Sequence, residues 1–238
     1  MLSFFTDPVN IVLFVALAPC VFLLYMIYKA DKIEKEPTGL LVKLFLYGCL
    51  STFLAMILEI LAESLLQSTG MSDTSVLYLL LENFLGVALI EEGSKYIFLR
   101  LGTWKRPEFN YVFDGIVYSV FVGLGFAGLE NVLYVIELGV GVAPYRAILA
   151  IPLHCICAIF MGHYYGLAKY YSTYNNSSVE KSMKRRALLI PILIHGFYDF
   201  CLSMDNGYMA LVFLVFVIIM DVIAYRSLKQ YSSSDRPI

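Results

Sequence analysis

The chain has 238 residues, of which 60% are hydrophobic and only 15% charged, and its mean hydropathy is +0.75. Soluble domains are about 45–50% apolar and about 25% charged, so an ordinary soluble fold is excluded, and no polar stretch is long enough for a separate soluble domain. With a net charge of −2, nothing suggests a nucleic-acid partner.

Seven apolar segments, at roughly 9–28, 40–66, 76–99, 114–137, 146–168, 187–204 and 208–225, each approach the ~20 residues that cross a bilayer. The expected fold is an all-α, polytopic membrane bundle of about seven transmembrane helices, with residues 1–238 forming one transmembrane domain. The first segment is too long for a signal-peptide core and has no small-residue cleavage site, so no cleavable signal is expected. Lysines 29, 32, 35 and 43 flank the first loop, whereas the loop from Gln67 to Ser75 has no Lys or Arg. Arg100, Lys105 and Arg106 mark the third loop, and Leu138 to Tyr145 has none. The fifth loop, running to Arg186, is basic, the turn around Asp205 is not, and the tail has Arg226, Lys229 and Arg236. This alternation places the N-terminus outside and the C-terminus in the cytoplasm, with the long basic loop from Tyr170 to Arg186 beside anionic lipid headgroups.

Small residues recur four apart at Gly115, Ser119, Gly123 and Ala127, and again at Gly162 and Gly166. Such spacing lets helices approach closely, so the fourth and fifth spans are expected at the centre. Pro19, Pro152 and Pro191 lie inside spans and are candidates for kinks. The five cysteines, Cys20, Cys49, Cys155, Cys157 and Cys201, lie in or beside apolar segments without a CxxC pair and read as small apolar residues.

The third span contains charge where charge is expensive. Glu91, Glu92 and Lys95 interrupt it, and each charged residue at mid-membrane costs about 2.5–3.5 kcal/mol on insertion scales. Glu91 and Lys95 are one turn apart and can pair. Adjacent residues lie about 100° apart around a helix, so one carboxylate is expected to lack a local partner. Glu91 and His195 each lie ~14 Å from the cytoplasmic ends of their spans, while His154 and Glu130 lie ~22 and ~24 Å in. These depths suit one shared site from mid-membrane outward. His195 and Asp199 form HxxxD, in which the carboxylate can fix the imidazole tautomer; Phe126, Glu130 and Asn131 repeat that spacing. His163, ~9 Å from Lys169, falls near the inner surface. His163 and Glu82 read equally well as helix–helix hydrogen-bond partners, and Glu59, Glu63 and Asp221 as structural or lumen-facing. Six polar groups on four spans, Glu91, Glu92, Glu130, His154, His195 and Asp199, exceed what packing needs.

In order and spacing, Glu91-Glu92-x-x-Lys95, Phe126-x-x-x-Glu130-Asn131, His154 followed by Met161-Gly162, and His195-x-x-x-Asp199 resemble the PrsW family. These are bacterial intramembrane proteases of the CAAX-protease and bacteriocin-processing clan. The run from Asp114 to Ile136 resembles the family too, and the likeness extends from the first span through Phe200. It implies a bacterial cell-membrane protease that makes the first cut in a membrane-anchored anti-sigma factor, outside the cytoplasm, and so releases a stress-response sigma factor. By position it implies Glu91, Glu92, His154 and His195 as catalytic, with Lys95, Phe126, Glu130, Asn131 and Asp199 in support. CAAX endopeptidases have EExxxR and FxxxH; Lys95 and Glu130 depart from these, so prenylated substrates are not implied.

No Ser or Cys stands out beside a base, since Cys155 and Cys157 flank His154 but point elsewhere on the helix, which favours water as the nucleophile. Two routes to that water stay open. A buried glutamate can take its proton while imidazoles orient it, with no cofactor, or His154, His195 and Glu130 can hold Zn²⁺. A proton-coupled transporter or channel is the competing class, since it also buries carboxylates and histidines, but no repeat between the halves is evident. A retinal protein is excluded because the seventh span lacks a lysine.

Overall fold

The computed structural model describes residues 8–238, with side chains from Phe14 onward. The expectations about a signal and the position of the N-terminus itself lie outside the described residues. Helices fill the described chain, in the order α1 Pro8–Ala30, α2 Thr38–Gln67, α3 Val76–Leu81, a π-helical segment Glu82–Ala88, α4 Leu89–Thr103, α5 Asp114–Leu138, α6 Ala143–Ile148, α7 Ala150–Thr173, α8 Ser177–Ser203 and α9 Gly207–Ser233. Among the described residues no β-strand forms, only an isolated bridge between Tyr111 and Pro237.

These elements make seven helical segments, each overlapping one expected span. Five are long and apolar enough to cross a membrane: α2, α5, the stretch from Val140 to Thr173, α8 and α9. The third segment falls short because it contains Glu82, Glu91, Glu92 and Lys95.

Helix starts follow local chemistry. Ser75, Asn176 and Asn206 cap α3, α8 and α9, each side chain accepting a backbone N–H three residues on. Gly139 ends α5 at φ +86°, a conformation that L side chains disfavour. Pro152 lies in the first turn of α7, where its missing N–H breaks no hydrogen bond, whereas Pro19 and Pro191 lie inside α1 and α8.

The spacing of small residues proves decisive for packing. A β-carbon on Gly162 would lie 2.4 Å from the Gly115 carbonyl oxygen, and one on Gly166 would lie 2.1 Å from that of Val112. α5 and α7 thus touch backbone to backbone, with Gly123 against Ala158 one stretch further along. A second close approach joins α2 to α5, where β-carbons on Gly48 and Gly125 would meet Val122 O and Phe45 O at 2.0 and 2.1 Å. α5 is the most enclosed of the long helices, and α9 presents most of its surface outward.

The end of the bundle that carries the basic loops is tied by polar contacts. Asp114 accepts the N–H groups of Asn110 and Tyr111 at 3.0 and 2.7 Å, and Tyr118 donates to Glu36 at 2.6 Å. The C-terminal residues run back along this face: Asp235 accepts from Phe113 N–H at 2.9 Å, and Val112 N–H donates to Arg236 O at 3.0 Å. Asp31, just past α1, is buried with one carboxylate oxygen unpartnered. Burial pushes its carboxyl up to about 6, Asp235 and Glu34 add to the rise, and Lys35 opposes it. A carboxyl raised on folding leaves stability intact below its unfolded value near 4, and the loss grows as pH rises through about 6. Asp31→Asn is therefore expected to raise the melting temperature of detergent-solubilised protein by about 2–4 °C at pH 7.5 and to change it little at pH 4. An equal rise at both pH values would refer the effect to something other than ionisation.

Candidate active site

The π-helical segment precedes the charged cluster. Its hydrogen bonds skip one residue more than those of an α-helix, so it rotates the face that α4 presents relative to α3. It packs tightly on α8, where a β-carbon at Gly196 would meet the Phe84 ring at 2.5 Å. Nothing in the sequence marks this irregularity.

From the first turn of α4, Glu91 and Glu92 both point inward and both are buried. Neither lacks a local partner, contrary to the expectation from their 100° separation. Lys95 lies three residues past one and four past the other, so it projects between them. Its Nζ donates to Glu91 Oε2 at 3.0 Å and to Glu92 Oε1 at 2.8 Å.

The third donor of Lys95 goes to α7, reaching His154 Nδ1 at 2.9 Å. An ammonium only donates, so Nδ1 accepts and Nε2 carries the proton. Nε2 then donates to Glu130 Oε2 on α5 at 3.0 Å. From α8, His195 places Nδ1 at 3.0 Å from Glu92 Oε1 and Nε2 at 3.1 Å from Asp199 Oδ2; the second contact is close but poorly aligned as a hydrogen bond. The two imidazoles meet edge to face, with ring centroids 5.3 Å apart. The Phe126 ring lies 4.0 Å from the Lys95 ammonium and 5.6 Å from the His154 ring.

Thus Glu91, Glu92, Lys95, Phe126, Glu130, His154, His195 and Asp199 come together from α4, α5, α7 and α8. Asn131 sits one layer out, donating to Ala16 O of α1 at 2.8 Å and accepting from Arg146 at 3.0 Å. His163 is elsewhere, stacked on Tyr231 at 3.6 Å.

Two neighbours escaped sequence reading. Arg146 of α6 places its guanidinium 2.9 Å from Glu130 and over the Tyr134 ring. It follows Glu130 across a turn and a short helix, so no periodic pattern links them. Glu59, read above as structural or lumen-facing, has a buried, unpartnered carboxylate oxygen and lies near enough to Glu91, Glu130, Lys95 and His195 to feel their charges. A signal for it existed: Gly48, Thr52, Ala55 and Glu59 follow one another at helical spacing, and the first three are buried.

A cavity of about 400 Å³ opens beside the cluster. Glu91, His154 and His195 line it, and Glu92 does not. It extends to Tyr145 in α6 and to Asn83 and Ser203, whose side chains hydrogen-bond at 3.1 Å, at the end of the bundle away from the basic loops.

A family profile described as PrsW family intramembrane metalloprotease matches residues 36–224, most of the chain. The chain belongs to the PrsW family. It is similar to a Protease PrsW of Clostridioides difficile, 32% identical over 227 residues, covering 94% of this chain and 92% of that one. A Protease PrsW of Geobacillus kaustophilus is 33% identical over 231 residues, 92% of each chain. One of Bacillus subtilis is 32% identical over 206 residues, 84% of this chain and 88% of that one. No solved structure matches. This PrsW family member is accordingly a peptidase built into the bacterial membrane, with several spans.

The family description implies a metal, and the cluster fits one. Glu91, Glu92, His154 and His195 each offer one ligand atom, all within 4.8 Å of one another. Each imidazole has a carboxylate at Nε2, Glu130 for His154 and Asp199 for His195, so both Nδ1 atoms face the glutamate pair. Carboxylates that back histidines in this way orient them as ligands. Two imidazoles with carboxylates form a donor set that suits zinc. Glu130 stands behind His154 and outside this group of four. Supporting carboxylates of this kind typically contribute 10–100-fold to activity or metal affinity. Asp199→Asn is expected to lower the rate of peptide cleavage by about that factor without changing the melting temperature; an unchanged rate would make the contact incidental.

Proposed function

We propose that this PrsW family member makes the first cut in a membrane-anchored anti-sigma factor, on its extracytoplasmic side, with the described bundle acting as one protease domain in the cell membrane. The observation that carries the side of cleavage is the cavity. It leads from the cluster to the helix ends whose loops lack Lys and Arg, the side assigned to the exterior. A substrate anchored by one span can deliver the stretch just outside its anchor to that opening.

Glu91 is the general base in this reading, because it lines the cavity while Lys95 holds only one of its oxygens. It takes a proton from water as the water oxygen adds to the scissile carbonyl, and returns that proton to the departing amine. His195 borders the same space and stabilises the developing oxyanion, while His154, its two nitrogens engaged by Lys95 and Glu130, holds Lys95 beside Glu91. Glu92, fully buried, orients His195 and Lys95. A bound divalent metal, held by Glu92, His154 and His195 with Glu91 left beside it as the base, would acidify water and polarise the carbonyl.

The test is co-expression with a tagged single-span anti-sigma factor, comparing wild type with Glu91→Ala and His195→Ala. The expected result is a shortened, membrane-retained fragment with wild type only. No fragment with wild type, when both partners accumulate normally, would overturn the substrate; fragments with all three would overturn the site.

A further inference from the structure

Three of the four side chains that fit a metal are already bridged by a cation of the chain itself. Lys95 Nζ lies 3.0 Å from Glu91 Oε2, 2.8 Å from Glu92 Oε1 and 2.9 Å from His154 Nδ1. An ammonium has three hydrogens, and these contacts use all of them. The group is buried and lies against the face of Phe126.

We propose that the Lys95 ammonium is a built-in competitor for the metal, so that a divalent ion enters this site only by displacing it. A zinc ion needs its ligand atoms at about 2.0–2.2 Å and approaches them along the lone pairs that the ammonium engages. Both cations cannot hold Glu91, Glu92 and His154 together, and their charges repel at that distance. Arg146 makes the contrast. It too is a cation at the site, but it contacts Glu130 and Asn131, outside the group of four. Removing Arg146 changes the local charge by the same amount as removing Lys95 and frees none of the shared donor atoms.

The inference concerns the cluster assigned above to catalysis, but metal uptake is read without any substrate, so the two can fail separately. The full chain in detergent micelles, stripped with a chelator, is titrated with Zn²⁺ against a chromophoric competitor. The d–d absorption of Co²⁺ is recorded in parallel. Lys95→Met is expected to bind Zn²⁺ at least about tenfold more tightly than wild type and to show a stronger Co²⁺ band. Arg146→Met is expected to stay within about threefold of wild type. Lys95→Gln, which keeps a polar group, is expected to follow Lys95→Met and serves in its place if the methionine variant does not fold. Unchanged or weaker Zn²⁺ binding on loss of Lys95 would overturn the proposal. So would an equal gain on loss of Arg146, which would reduce the effect to charge alone.

Discussion

Glu91→Gln is expected to lower peptide cleavage by about 10²- to 10⁴-fold, the usual contribution of a general base, while the protein still inserts and folds. The amide keeps the volume of the carboxylate and can still accept from Lys95, but it cannot take a proton from water. Glu92→Gln separates the two carboxylates. Glu92 is fully buried, bonds both Lys95 and His195, and has no place on the cavity wall. Its loss takes one anion from a buried ionic network, so stability is expected to fall together with activity. Cleavage rates and melting temperatures of the two variants check this. Full activity in Glu91→Gln would remove it as the base, and equal melting temperatures with equal residual activity would remove the distinction between the two.

Gly162→Ala is expected to destabilise the protein by about 3 kcal/mol, the upper end of the range for overpacking, and to lower its melting temperature by about 6–12 °C. The added methyl would lie 2.4 Å from Gly115 O and 2.5 Å from Ile116 Cα. Both obstacles are backbone, so no side chain can turn away, and α5 and α7 must part. Those helices carry Glu130 and His154, which meet at 3.0 Å, so activity is expected to fall as well. Gly39→Ala is the matched control, because no atom lies within 4 Å of its added carbon. Thermal unfolding in detergent compares the two; similar shifts would deny Gly162 its role in close packing.

The span pattern, the small-residue stripes and the charged cluster were all legible along the chain, because each rests on periodicity or on the cost of charge in lipid. The pairing of Glu91 with Lys95 was legible for the same reason, being one helical turn. Lys95 reaching Glu92 as well was within reach of helix geometry, since i and i+3 also share a face. Glu59 could have been found on the extended buried stripe of α2. By contrast, Arg146 against Glu130 depends on how α6 folds back over α5, and the π-helical segment has no composition of its own.

What the order of residues determines here is local: which stretches are apolar enough to span, which faces are small enough to meet, and which side chains are too polar to bury without purpose. The tertiary structure alone decides that His154 and His195 turn Nδ1 toward Glu91 and Glu92 while Glu130 and Asp199 stand behind them. It alone decides that Glu91 borders the cavity and Glu92 does not. The physical reason is that periodicity gives a residue's face and depth on its own helix, whereas distances between helices depend on backbone contacts such as Gly115 with Gly162.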